Sequence, residues 1–123
     1  MKLTLINKDF SVCKIQQQSE INLSKEFVFF AKTDEGLSLI CESHDAPPSS
    51  ITVISGWKAF KVEKGNDLET ANVIAVISNA LSETKKDVFW VTTPSNVYIF
   101  LKSSEIDECV ALLKRMQCIT RIQ

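Results

Sequence analysis

VFWVTTPSNVYIFLK, residues 88–102, decides the fold of this chain. Two runs rich in β-branched and aromatic residues, Val88 to Thr93 and Val97 to Lys102, flank Pro94-Ser95-Asn96. Those three residue types favour a turn, so the stretch reads as two neighbouring strands. Upstream, Val73, Val76, Ile77, Ala80 and Leu81 recur at helical spacing within residues 68–81. Asp67 precedes that pattern as a candidate N-cap, and Lys85 and Lys86 follow it, where positive charge suits the helix dipole. Downstream, Ser104 is the expected cap of a second helix. Glu105, Asp107 and Glu108 fall in its first turn, and Lys114 and Arg115 in its last. Its buried stripe is expected to be Ile106, Cys109, Val110, Leu113 and Met116.

A strand at Lys58 to Glu63, with Phe60 and Val62 on one face, and a tail strand within 118–122 complete the pattern. The order from residue 57 onward is β-α-β-β-α-β, the split βαβ or ferredoxin-like arrangement. The fold class is α+β, with antiparallel strands and both helices on one face of the sheet.

The first half reads differently. Leu3 to Ile6 and Phe10 to Ile15 flank Asn7-Lys8-Asp9 and suggest a hairpin, with Phe10 and Val12 alternating against Ser11 and Cys13. Residues 16–25 are polar, a loop or short helix. Phe27 to Ala31 and Leu37 to Glu42 make a second hairpin around Asp34-Glu35-Gly36. Residues 43–50, SHDAPPSS, mark a boundary or exposed connector, and Ile51 to Ile54 is a short helix or strand. The expected division is 1–55, a reduced copy of the unit, and 56–123, a complete one.

Composition narrows the function. The chain has 123 residues, 45% hydrophobic and 24% charged, enough to bury a core without disulfides. Fourteen Lys and Arg against fifteen Asp and Glu give no electrostatic pull toward nucleic acid or anionic lipid. No segment resembles a signal peptide or a membrane span, so the expected location is cytoplasmic. The four cysteines, Cys13, Cys41, Cys109 and Cys118, match no zinc spacing and read as reduced thiols. No phosphate-loop, dinucleotide, zinc-protease or nucleophile-elbow motif occurs, so no cofactor, metal or catalytic residue is expected. His44, beside Asp45 and two residues after Glu42, reads as part of a solvated polar loop. Tyr98 and Phe100 share a strand face near Phe89 and Trp90, as bases would need, but VYIFLK lacks the basic RNA-binding signature.

The loop Lys64-Gly65-Asn66-Asp67 lies between a strand and a helix start, where free amides attract a carboxylate. It can hold a free amino acid, or it can be an ordinary β-α connection.

Several stretches together resemble the ACT domain family, and within it small two-ACT proteins related to the CASTOR-type cytosolic arginine sensors. They are FSVCK at 10–14, FFAKTDEGLSLIC at 29–41, GWKAFKV at 56–62, VIAVIS at 73–78 and the strand pair around Thr92-Thr93. The resemblance runs in order over residues 3–118. It implies two ACT units side by side and a homodimer. It also implies a regulatory, non-catalytic role, with small ligands, usually amino acids, held at interfaces between ACT units. By this resemblance Lys64, Gly65, Asn66, Asp67 and Asn72 would cradle the ligand, and Thr92, Thr93 and Asn96 would meet it from the sheet. Two positions depart from the arginine sensors. Asn72 stands where they have a glycine, which removes room beside the backbone. Val97 stands where they carry an acidic residue, which removes a carboxylate partner. Both argue against arginine and leave a different small ligand, or a ligand-free interaction and dimerisation module, open.

Overall fold

The computed structural model describes residues 2–63, 70–82, 87–115 and 121–122. Its strands are β1 (Lys2–Ile15), β2 (Phe29–Thr33), β3 (Gly36–Glu42), β4 (Thr52–Glu63), β5 (Val88–Thr92), β6 (Val97–Lys102) and β7 (Arg121–Ile122). Its helices are α1 (Thr70–Leu81) and α2 (Ile106–Lys114). The fold is mixed α and β. No described helix is long and apolar enough to cross a membrane.

The chain divides into two compact units, one of Met1–Asn7 with Lys58–Gln123, the other of Lys8–Trp57. In the first unit the strand order is β7-β1-β4-β6-β5. Lys2 Nζ lies 3.8 Å from Glu63 Oε2, and Lys58 Nζ donates to Asn7 Oδ1 at 3.4 Å, so β1 and β4 run antiparallel. β7 pairs in parallel with β1, Lys2 opposite Arg121. A strand from the N-terminal stretch thus sits inside this sheet.

The packing of this unit follows from two periodicities. β6 alternates, so Val97, Ile99 and Leu101 share one face. Phe60 and Val62 of β4 and Leu3 of β1 join them in one core, all fully buried. α1 brings Val73, Ile77 and Leu81 to that core, and α2 brings Ile106, Cys109 and Leu113. Both triplets sit three or four residues apart, the spacing of one helix face. Ile74 and Ala80 flank the α1 stripe, and Val76, expected in it, is only half-buried. Both helices therefore pack on the face of β6 that carries Val97, Ile99 and Leu101.

The second unit has the strand order β2-β3-β1-β4 and, among its residues, only 3₁₀ turns at Gln18–Glu20 and Ser43–Asp45. The hairpin of β2 and β3 forms as expected, Phe29 opposite Ile40 and Thr33 opposite Gly36, whose φ of 116° a side chain would resist. β2 starts two residues later than expected, because Phe27 takes φ 56° and sets its ring edge-on to Phe10 at 6.4 Å.

Three expectations change. Residues 3–15 form one strand rather than a hairpin. Asn7, Lys8 and Asp9 are simply its exposed stretch, with no glycine to turn the chain, and Lys8 Nζ meets Glu42 Oε1 at 3.4 Å. Residues 52–63 are likewise one strand, where a short element at 51–54 and a separate strand at 58–63 were expected. Gly56 takes φ 92° within that strand, a backbone conformation that side-chain-bearing residues rarely adopt. Ser104 does not cap α2. It lies exposed in a 3₁₀ turn over Ser103–Glu105, and Glu105 takes the cap position without a side-chain hydrogen bond. The expected cap Asp67 and the residues Lys85, Lys86, Met116 and Cys118 lie outside the described residues.

Two stability measurements check this account. Ile77→Ala should lower unfolding free energy by about 2–5 kcal/mol in urea titration, the cost of a core cavity. Gly56→Ala should cost about 1–2 kcal/mol, although no atom lies within 4 Å of the added methyl, because the penalty is in the backbone.

Candidate functional site

Lys64, Gly65, Asn66 and Asp67 lie outside the described residues. Asn72 falls in the first turn of α1 with its side chain exposed. Thr92 ends β5, exposed, with Val97 as its cross-strand partner. Thr93 and Asn96 close the β5–β6 turn. The Thr93 amide donates to the Asn96 carbonyl at 2.9 Å, and the Asn96 amide donates to Thr93 Oγ1 at 3.1 Å. The structure thus brings Thr92, Thr93 and Asn96 together. No hydrogen bond joins Asn72 to that turn among the described residues. The Thr93 hydroxyl is engaged within the turn, so Thr92 and the Asn96 side chain are the polar groups this turn has to offer.

Val97 is fully buried beside Ile99 and Leu101. A carboxylate at that position would face an apolar core, so packing explains the valine. Phe100 is also fully buried, its ring stacked 4.7 Å from that of Phe89 with the planes 2° apart. It has no free face for a base. Trp90 points the other way, opposite Ile99, and packs against the helical core.

Residues 8–57 hold polar groups that the sequence pattern hid. Ser11 is completely buried, and its Oγ lies 2.7 Å from Ser43 Oγ and 2.9 Å from Ser55 Oγ. Ser11 shares its sheet face with Cys13, Leu39 and Cys41, through the pairs Ser11–Cys41 and Cys13–Leu39. The face carrying Ser11 and Cys13 is buried, and so is Phe10 at the start of the run. The signal for Ser11 was its small size: it fits a crowded interior, and hydroxyl partners satisfy it.

Cys13 and Cys41 are both buried. Burial pushes the Cys41 thiol from 9.0 up to about 12, reinforced by Cys13 and by the nearby Asp45 and Glu42 charges. Burial also raises the Cys13 thiol. Neither is a ready nucleophile, since the thiolate is the reactive form. A cleft of about 10 Å³, room for one water, is lined by Glu20, Asn22, Lys25, Val28, Leu39, Cys41 and Asp45. It is too small for an amino acid.

No protein-family model and no curated protein sequence matches the chain. Solved structures do. Protein Atu0741 from Agobacterium tumefaciens superposes with a TM-score of 0.83 at 20% identity, covering 99% of this chain and 92% of that one. A protein of unknown function from Vibrio cholerae, described as a possible transport protein, gives 0.71 at 18% identity, covering 90% and 85%. The regulatory subunit of aspartate kinase from Thermus thermophilus, in ligand-free form, gives 0.60 at 9% identity, covering 92% and 95%. The chain shares the fold of aspartate kinase regulatory domains, which supports an ACT-like fold.

Two outcomes follow from the buried polar groups. Ser11→Ala should cost about 1–3 kcal/mol, since it strips partners from Ser43 and Ser55; a differential urea titration reads it. A thiol raised on folding stabilises the native state below its unfolded pKa and loses that contribution as pH climbs. Thermal stability should therefore decline from about pH 9 toward 12, and Cys41→Ala should flatten that decline.

Proposed function

We propose that the chain is a non-catalytic regulatory module built on ferredoxin-like ACT units. It works in the cytoplasm as a homodimer and takes a small ligand, such as an amino acid, at an interface between ACT units. The observation that carries this reading is the likeness to the regulatory subunit of aspartate kinase over nearly the whole of both chains. Regulation by a bound metabolite needs differential affinity between two states of the protein, not a catalytic group. The absence of catalytic motifs from the sequence and the raised thiols fit that role. The proposed ligand contacts are Lys64, Gly65, Asn66, Asp67 and Asn72 from the loop and helix start, with Thr92, Thr93 and Asn96 from the turn. The exposure of Asn72 and Thr92 supports their share.

A second reading, a ligand-free interaction and dimerisation module, is favoured by one observation. Ile51, Val53, Ile54 and Phe30 are each about half exposed, at 55%, 45%, 54% and 53%. Ile51, Val53 and Ile54 lie along one segment, and exposed apolar side chains so placed often mark an interaction surface.

Thermal-shift screening against the twenty amino acids separates the two. A regulatory sensor should show a raised melting temperature with one or a few amino acids, by mass action. Asn72→Ala and Thr92→Ala should reduce that rise while leaving the unliganded melting temperature nearly unchanged. No shift with any amino acid at millimolar concentration, together with a dimer by light scattering that Ile54→Lys dissociates, would favour the second reading.

A further inference from the structure

β3 ends at Glu42, and the chain turns at once through the 3₁₀ turn Ser43–Asp45. That turn gathers Glu42, His44 and Asp45, with one ligand-capable atom of each lying within 4.8 Å of the others. The carboxylates are mostly shielded, with 15% and 21% of their side chains exposed, whereas His44 is 69% exposed and open to an arriving ion. Asp45 Oδ2 is sealed from solvent and accepts no hydrogen bond among the described residues. A sealed, unbonded carboxylate oxygen is costly, and a cation beside it removes the cost.

The geometry indicates which cation. His44 Nε2 lies 3.4 Å from Asp45 Oδ2. Charge-assisted hydrogen bonds are shorter, about 2.7–2.9 Å. Two ligands each about 2.1 Å from a tetrahedral zinc stand about 3.4 Å apart. One imidazole with two carboxylates suits zinc or a neighbouring transition ion better than magnesium or calcium, which prefer oxygen alone. Asp45 also lines the water-sized cleft, so a solvent ligand has room nearby. Ser43, inside the turn, is tied to buried Ser11 at 2.7 Å, which holds the turn in place before any ion arrives.

We propose that Glu42, His44 and Asp45 form a three-ligand site for a divalent transition ion of the zinc class. The site is independent of the regulatory reading and of its ligand residues. Lys8 is the built-in competitor. Its Nζ lies 3.4 Å from Glu42 Oε1 and must give way when the ion binds. The ion bridges the end of β3 to the turn that follows it.

The test is a titration of the full chain, kept reduced with a phosphine, with zinc and then with cobalt(II). The expected result is one ion per chain. Bound cobalt should show the visible absorption of a four-coordinate N/O site without thiolate-to-cobalt bands in the near ultraviolet. Losing even an outer-shell partner of a metal ligand costs about 10–100-fold in affinity. His44→Ala and Asp45→Asn should therefore weaken binding at least about tenfold, and Lys8→Met should tighten it. His44 is exposed, so His44→Ala keeps its circular dichroism spectrum, and its loss of binding is not a loss of fold. Absence of saturable binding, binding that His44→Ala leaves unchanged, or the appearance of thiolate bands would each overturn the proposal.

Discussion

The rest of the structure depends on one constraint: two helices, each with a single apolar stripe, must bury those stripes on the same sheet face. Val97, Ile99 and Leu101 present that face from β6, Phe60 and Val62 extend it on β4, and Leu3 adds to it from β1. Each large aliphatic or aromatic side chain taken from water here contributes about 1.5–3 kcal/mol before entropy is charged. The proposed ligand contacts described in this unit hang from that layer. Asn72 can stay exposed because Val73 beside it is pinned in the core, and Thr92 is placed because Val97 opposite it is buried.

How far the sequence could be read depended on whether a residue's local pattern matched its tertiary task. β6, β5 and both helices were legible because period 2 and period 3.6 are visible in VYIFLK and in residues 73–81. The continuity of β1 was not. Asn7-Lys8-Asp9 has the composition of a turn, and only Glu42 and Lys58, far along the chain, show that these polar groups ride on an exposed strand. β4 was hidden in the same way, since the pattern breaks between Ile54 and Trp57, yet Gly56 continues the strand at φ 92°. The cap of α2 failed for a local reason: a 3₁₀ turn consumed Ser104 before the helix began.

The candidate site was legible in part. Thr92, Thr93 and Asn96 do share one turn, because a strand pair joined by a short turn leaves no other arrangement. Val97 was recognised as a departure, and its burial supplies the reason. The turn at residues 42–45 carried little signal in sequence because its donors come from a strand end and a 3₁₀ turn rather than from a helix-spaced or Cys-rich motif. Ser11 gave a misleading signal, since a serine between Phe10 and Val12 is expected to face water unless other hydroxyls await it.

The pairing of Lys2 with Arg121 bears on how the chain is made. During synthesis the stretch 8–57 emerges with all its strand partners already present and can close early. Residues 2–7 are made before their sheet partners β4 and β7, and their unit is completed only when β7 has been made. Until then the edge of the strand carrying Leu3 and Ile6 that faces β7 waits unpaired. Long-range pairing of this kind is the slow part of folding and the part exposed to wrong partners.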